Sequence, residues 1–120
     1  NGTAANLNLR AEAPPATPAR DEQTLSGRHP FDGATVVNLS PAVADELGVD
    51  PFQGPGVMVV RVGRGFSLNA GLRPGDMIRA VNGRDIRNVR DLMAAAGAEA
   101  AGWQVTIQRN GQEVTANFRL

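Results

Sequence analysis

The apolar positions of this chain fall into two patterns, one helical and one extended. In Ser40-Pro41-Ala42-Val43-Ala44-Asp45-Glu46-Leu47-Gly48, Val43 and Leu47 stand one helical turn apart. The serine suits the N-cap, the proline the first helical position, and Gly48 a left-handed exit. In Asn88–Gly97 the stripe is Val89, Leu92, Met93 and Ala96, the spacing of a one-sided helix. Asn88 caps it, Asp91 lies near its positive end and Gly97 ends it. The extended runs are β-rich. Val57–Val62, broken only by Arg61, predicts a central strand, and Met77–Val81 is broken only by Arg79. Val105–Ile107 and Val114–Phe118 flank Asn110-Gly111, a strong hairpin turn. A half-polar run from Ala34 to Leu39 follows Phe31-Asp32-Gly33. Arg73-Pro74-Gly75-Asp76 predicts a tight turn with Pro-Gly at its centre, and Gly71 ends a helical turn around Asn69-Ala70. Phe66 and Leu68 are expected to pack over the core edge.

From Arg10 through Pro30 the pattern lapses: four prolines counting Pro30, small and charged residues, and no apolar period predict an extended linker over 11–29. A compact unit is expected over 30–120. The ten residues before the linker, NGTAANLNLR, align without a gap on NGQEVTANFR at 110–119. Asn1, Gly2, Asn8 and Arg10 match Asn110, Gly111, Asn117 and Arg119. Residues 1–10 therefore read as the last strand of a preceding copy in a tandem array.

Composition adds constraints on function. At 120 residues and 42% hydrophobic content the chain suits one modest core. Twelve Arg balance twelve Asp plus Glu, leaving no net field toward nucleic acid or an anionic membrane. No Cys is present, which excludes disulfides and thiolate metal sites. No apolar run approaches the roughly 18 residues of a membrane helix. Gln53-Gly54-Pro55-Gly56 lacks the Gly-Lys-Ser/Thr of a phosphate loop and reads as a bend. The single imidazole, His29, stands in the linker near Ser26 and reads as solvent-exposed, so no Ser-His-Asp triad can be assembled. No catalytic residue, metal cluster or cofactor site is expected.

Residues 70–86, AGLRPGDMIRAVNGRDI, resemble the PDZ-domain signature through Leu72, Gly75, Asp76, Ile78, Val81, Asn82, Gly83 and Ile86. A short strand and the SPAVADELG helix precede the central strand, and the closing hairpin strand comes last. That permuted order is similar to PDZ domains of bacterial HtrA/Deg (Do-like) serine proteases, and the preceding repeat plus linker looks like the second, C-terminal one. The resemblance implies an α+β, PDZ-like fold: a small, partly open β-barrel or sandwich of five to six strands with two helices. It also implies a noncatalytic module of a periplasmic or envelope serine endopeptidase that acts in protein quality control.

In such a domain a peptide lies beside an exposed sheet edge and an adjacent helix supplies side-chain pockets. Carried over residue by residue, the terminus-binding loop is Phe31, Asp32, Gly33 and Ala34. The edge strand continues through Thr35, Val36, Val37 and Asn38, and the helix offers Val89, Met93 and Ala96, with Leu92 left to the core. Partners implied are C-terminal or unfolded segments with apolar ends, the attached protease and other PDZ domains, with homo-oligomers as a further outcome. Asp32 departs from the family's aliphatic loop residue. Its carboxylate would repel a ligand's own by about 1 kcal/mol at 5 Å and high effective dielectric, so Asp32→Asn is expected to strengthen binding. The alternative reading is an assembly module with weak or no terminus capture.

Overall fold

The computed structural model describes residues 18–50, 54–98 and 100–119; the expected remnant strand at 1–10 lies outside the described residues. Among the described residues seven strands and three helices follow one another: β1 (Gln23–Thr24), β2 (Ala34–Asn38), α1 (Pro41–Leu47), β3 (Val57–Val62), α2 (Phe66–Ala70), β4 (Met77–Val81), β5 (Arg84–Asp85), α3 (Val89–Gly97), β6 (Trp103–Arg109) and β7 (Gln112–Phe118). The strands form one sheet in the order β1-β2-β3-β4-β6-β7, with β5 paired to β4 alone, and all pairings are antiparallel. The α+β class is as expected, and the sheet is open rather than closed into a barrel. The helical turn around Asn69-Ala70 is the end of α2, a third helix, and the two-residue strands β1 and β5 are too short to leave a periodic signal.

Helix ends follow the local chemistry. Ser40 Oγ accepts from the Val43 amide at 3.2 Å, Pro41 opens α1, and Gly48 closes it at φ 70°. Asn88 Oδ1 accepts from the Asp91 amide at 2.8 Å. The Arg87 amide and then its guanidinium donate to the Asp91 carboxylate, which holds that carboxyl below the usual range. The expected exit at Gly97 differs: Gly97 is still helical, and α3 ends at Ala98 in an extended conformation.

Two bulges set which side chains face inward. Thr35 pairs with Arg61 and Val36 with Val59, which leaves Val60 unmatched on β3. Ile78 pairs with Ile107 and Ala80 with Thr106, which leaves Arg79 unmatched on β4. The second bulge lets Ile78 and Val81 both reach the interior while Arg79 turns out to Gln108 Oε1 and the Pro55 carbonyl. Gly54-Pro55-Gly56 is thus a bend whose Pro55 and Gly56 carbonyls receive Arg79 and the Leu39 amide.

The sheet is covered on both faces near β2. Ala34 and Val36 join the main cluster with Val89, Leu92, Trp103 and Ile107, whereas Val37 and Leu39 pack with Val43, Ala44, Met58 and Met77 under α1. Three expectations change here. The packed unit takes in residues 23–29, which composition had assigned to the linker: Gln23–Thr24 form β1, and Leu25 and His29 are buried. His29 is therefore not a solvent-exposed side chain. Phe66 and Leu68 do not cover the core; they are exposed, because Ser67 and, past the turn, Leu72 hold the inward positions of so short a helix.

Candidate functional site

The loop ahead of β2 is tied down by its own backbone. The Phe31 amide donates to His29 Nδ1 (3.2 Å), the Asp32 amide to the His29 carbonyl (3.2 Å), the Gly33 amide to the Leu25 carbonyl (2.8 Å) and the Ala34 amide to the Phe31 carbonyl (2.9 Å). All four N–H groups of the expected terminus-binding loop are thereby committed within the chain. Because Nδ1 of His29 accepts, its Nε2 carries the proton and donates to the Ser26 carbonyl at 3.1 Å. Both ring nitrogens thus serve backbone groups, and the ring meets Trp103 edge-on at 6.3 Å. Phe31 points fully into the core rather than toward a ligand.

Gly33 has a specific steric role. Its φ is +90°, and a Cβ there would lie 2.3 Å from the Arg64 carbonyl oxygen, while its own carbonyl accepts from the Gly63 amide at 2.8 Å. Neither backbone can retreat without breaking the contact. We expect Gly33→Ala to cost at least about 1–3 kcal/mol, the scale of local backbone strain, measured by urea unfolding. An unchanged midpoint would show that the loop tolerates a side chain.

Asp32 has a structural use that its charge alone did not reveal. Its Oδ1 accepts from the Gly27 amide at 3.0 Å and its Oδ2 from the Phe66 amide at 3.3 Å, while its carbonyl accepts from the Ser67 amide at 3.0 Å. The side chain thus fastens the residue 26–29 turn to the first turn of α2, a position where a carboxylate is favoured. Asp32→Asn is therefore expected to weaken this fastening, which replaces the expectation that it would strengthen binding.

The edge of β2 facing α3 carries a strand of the same chain. β1 pairs antiparallel with it, Gln23 opposite Val36 and Thr24 opposite Thr35, and the two threonine hydroxyls meet at 2.7 Å. The Leu25 amide donates to the Ala34 carbonyl at 2.9 Å. At the far end the Asn38 amide donates to the Arg20 carbonyl (2.8 Å) and its Nδ2 to the Ala19 carbonyl (2.9 Å). Asn38 Oδ1 accepts from the Val89 amide (2.7 Å), one of the orphan donors at the start of α3. Asn38 thus joins β2, the incoming segment and the helix.

Of the site residues expected from sequence, β2 and α3 bring Ala34, Val36, Asn38, Val89 and Ala96 to one side of the sheet. Val89 is fully buried and Ala96 nearly so, whereas Met93 is half-exposed. Val37 faces the opposite cluster, and Thr35 meets Thr24 at the edge. An open groove of about 700 Å³ runs between Leu25–His29 and the second half of α3, where Met93, Ala96 and Trp103 line it. Gln23, Thr24, Leu25 and His29 are the contributors missed by sequence reasoning. The one available signal was Leu25, a lone aliphatic residue between Arg20 and His29. Among the described residues no cluster of His, Cys, Asp and Glu could hold a metal ion, and no helix is long and apolar enough to cross a membrane.

A family model described as PDZ domain matches residues 23–108. Among the solved structures similar to it are two of one protease. One, HtrA-type protease AlgW with decapeptide, aligns with TM-score 0.61 and 28% identity over 72% of this chain and 27% of that one. A variant of the same protease with decapeptide aligns with TM-score 0.54 at the same identity and coverage. The chain spans about a quarter of the length of those structures. No curated protein matches it.

Proposed function

The chain belongs to the PDZ family, and from that premise we propose that it is the noncatalytic peptide-recognition module of an HtrA-type serine endopeptidase. It recruits polypeptide segments with apolar ends to the attached protease, or regulates that protease, in protein quality control in the periplasm or cell envelope. Its place is that of a second, C-terminal PDZ domain, which the repeat at residues 1–10 supports. The observation that carries this reading is the β2–α3 cleft: its sheet edge is paired with an extended antiparallel segment whose leucine is packed beside the helix, the arrangement of strand addition. Both similar structures were solved with a decapeptide.

One observation favours a second reading, in which the module mainly supports assembly with protease or PDZ domains. The loop amides are committed internally, so a terminal carboxylate gains little there. Of the four loop amides, only that of Gly33 loses its acceptor when a ligand replaces residues 19–25. Titration of labelled apolar-ended peptides, by fluorescence anisotropy, should show saturable binding. The free acid should bind no more than about tenfold tighter than its C-terminal amide, the lower end of one hydrogen bond to a charged group. No binding of either form at millimolar peptide would remove the recognition reading and leave assembly.

A further inference from the structure

We infer that residues 19–25 are a resident ligand of the β2–α3 groove, a tethered strand that an incoming peptide must displace; this rests on the peptide-recognition reading. Four observations converge. The segment runs antiparallel to β2 on the edge next to α3, the place where an added strand pairs with a free edge. Its last paired residue, Leu25, places its carbonyl on the Gly33 amide at 2.8 Å, at the loop that would otherwise meet the end of a bound peptide. Strand alternation turns Gln23 and Leu25 to the same side, and Leu25 lies only 6% exposed among Val89, Ala96 and Trp103. At the other end the Asn38 amide and side chain hold the carbonyls of Arg20 and Ala19.

The hold is of an exchangeable kind. The ladder is two residues long. The ion pairs of Arg20 with Glu46 (2.6 Å) and Glu22 (3.0 Å) involve half-exposed or exposed groups and contribute little. Anchoring therefore comes mainly from Leu25 and the backbone bonds. A tethered strand competes at an effective concentration in the millimolar range, and apparent affinity in trans falls by the fraction of time the groove is empty. The resident sequence also defines the ligand class: an extended segment with an aliphatic residue at the last paired position. Since the chain continues past Leu25 to Ser26, that residue need not be a terminus.

The test uses the whole 120-residue chain and the free-acid peptide Ala-Arg-Asp-Glu-Gln-Thr-Leu, a copy of the segment. Amide hydrogen exchange is followed with and without saturating peptide, and affinity is measured for wild type and Leu25→Ser. Displacement predicts that the Leu25 amide exchanges at least about fivefold faster with peptide while the Gly33 and Asn38 amides keep their protection. It also predicts that Leu25→Ser binds roughly tenfold tighter, as for a groove empty a tenth of the time in wild type. Saturable binding that leaves the Leu25 amide equally protected would overturn the resident-ligand inference while peptide recognition stands. Absence of binding to both proteins, each with a folded spectrum, would overturn both. If Leu25→Ser does not fold, the wild-type exchange pattern decides the matter alone.

Discussion

Replacing Arg109 with methionine is expected to lower the unfolding free energy by about 3 kcal/mol, the lower end of the cost of leaving a buried charge without its partner. Asp76 is 2% exposed, and Arg109 grips it with both prongs of its guanidinium, Nε to Oδ1 at 2.8 Å and Nη2 to Oδ2 at 2.6 Å. The same Nη2 donates to the Gly71 carbonyl at 3.0 Å, and the Arg73 amide donates to Asp76 Oδ2 at 2.9 Å. One side chain on β6 thus binds the exit of α2 to the turn that enters β4. That contact raises the pKa of Arg109 chiefly through its hydrogen bonds to Asp76, so the guanidinium remains charged. In urea unfolding, Asp76→Asn added to Arg109→Met should recover part of the loss, because the amide still accepts from Arg73 and carries no stranded charge. A single-variant loss below about 1 kcal/mol would show that the pair is solvated.

Phe31→Ala should be as costly, about 3–5 kcal/mol, the range for deleting a buried aromatic side chain. Its ring is fully buried in the main cluster with Leu25, Ala34, Val36 and Trp103, and lies 5.9 Å from the His29 ring. Phe31→Leu, nearer in volume, should keep most of the stability. Placed in a terminus-binding loop, Phe31 would be a ligand contact whose loss changed affinity and spared stability. Chemical unfolding separates these outcomes: a midpoint close to wild type for Phe31→Ala would return the residue to the binding surface.

Both residues show where local reading stops. Gly75-Asp76 was legible as a turn and as part of the signature, because those demands act within a few residues. Its partner Arg109 stands 33 residues away and looks like any other arginine among twelve. Asp32 was legible as a departure, and its charge was assigned to a ligand; the structure gives that carboxylate to the amides of Gly27 and Phe66, the second of them 34 residues distant. His29 reads as exposed because it stands in the expected linker, yet its burial depends on Trp103, from the opposite end of the domain.

The sequence by itself determined the elements with strong local causes: α1 and α3 through their caps and one-sided stripes, the β6–β7 hairpin through Asn110-Gly111 and the turn at Pro74-Gly75; the PDZ fold came through the resemblance of residues 70–86 to that family's signature. Periodicity and turn chemistry are properties of neighbouring residues, so they survive without knowledge of the fold. Only the tertiary structure decided that the edge of β2 is already paired, that the loop amides are spoken for, and that residues 23–29 belong to the packed unit. A two-residue strand has no period, and a backbone carbonyl has no sequence identity. Leu25 meeting Gly33 is therefore a contact that any residue's backbone could have made, and only the folded chain selects it.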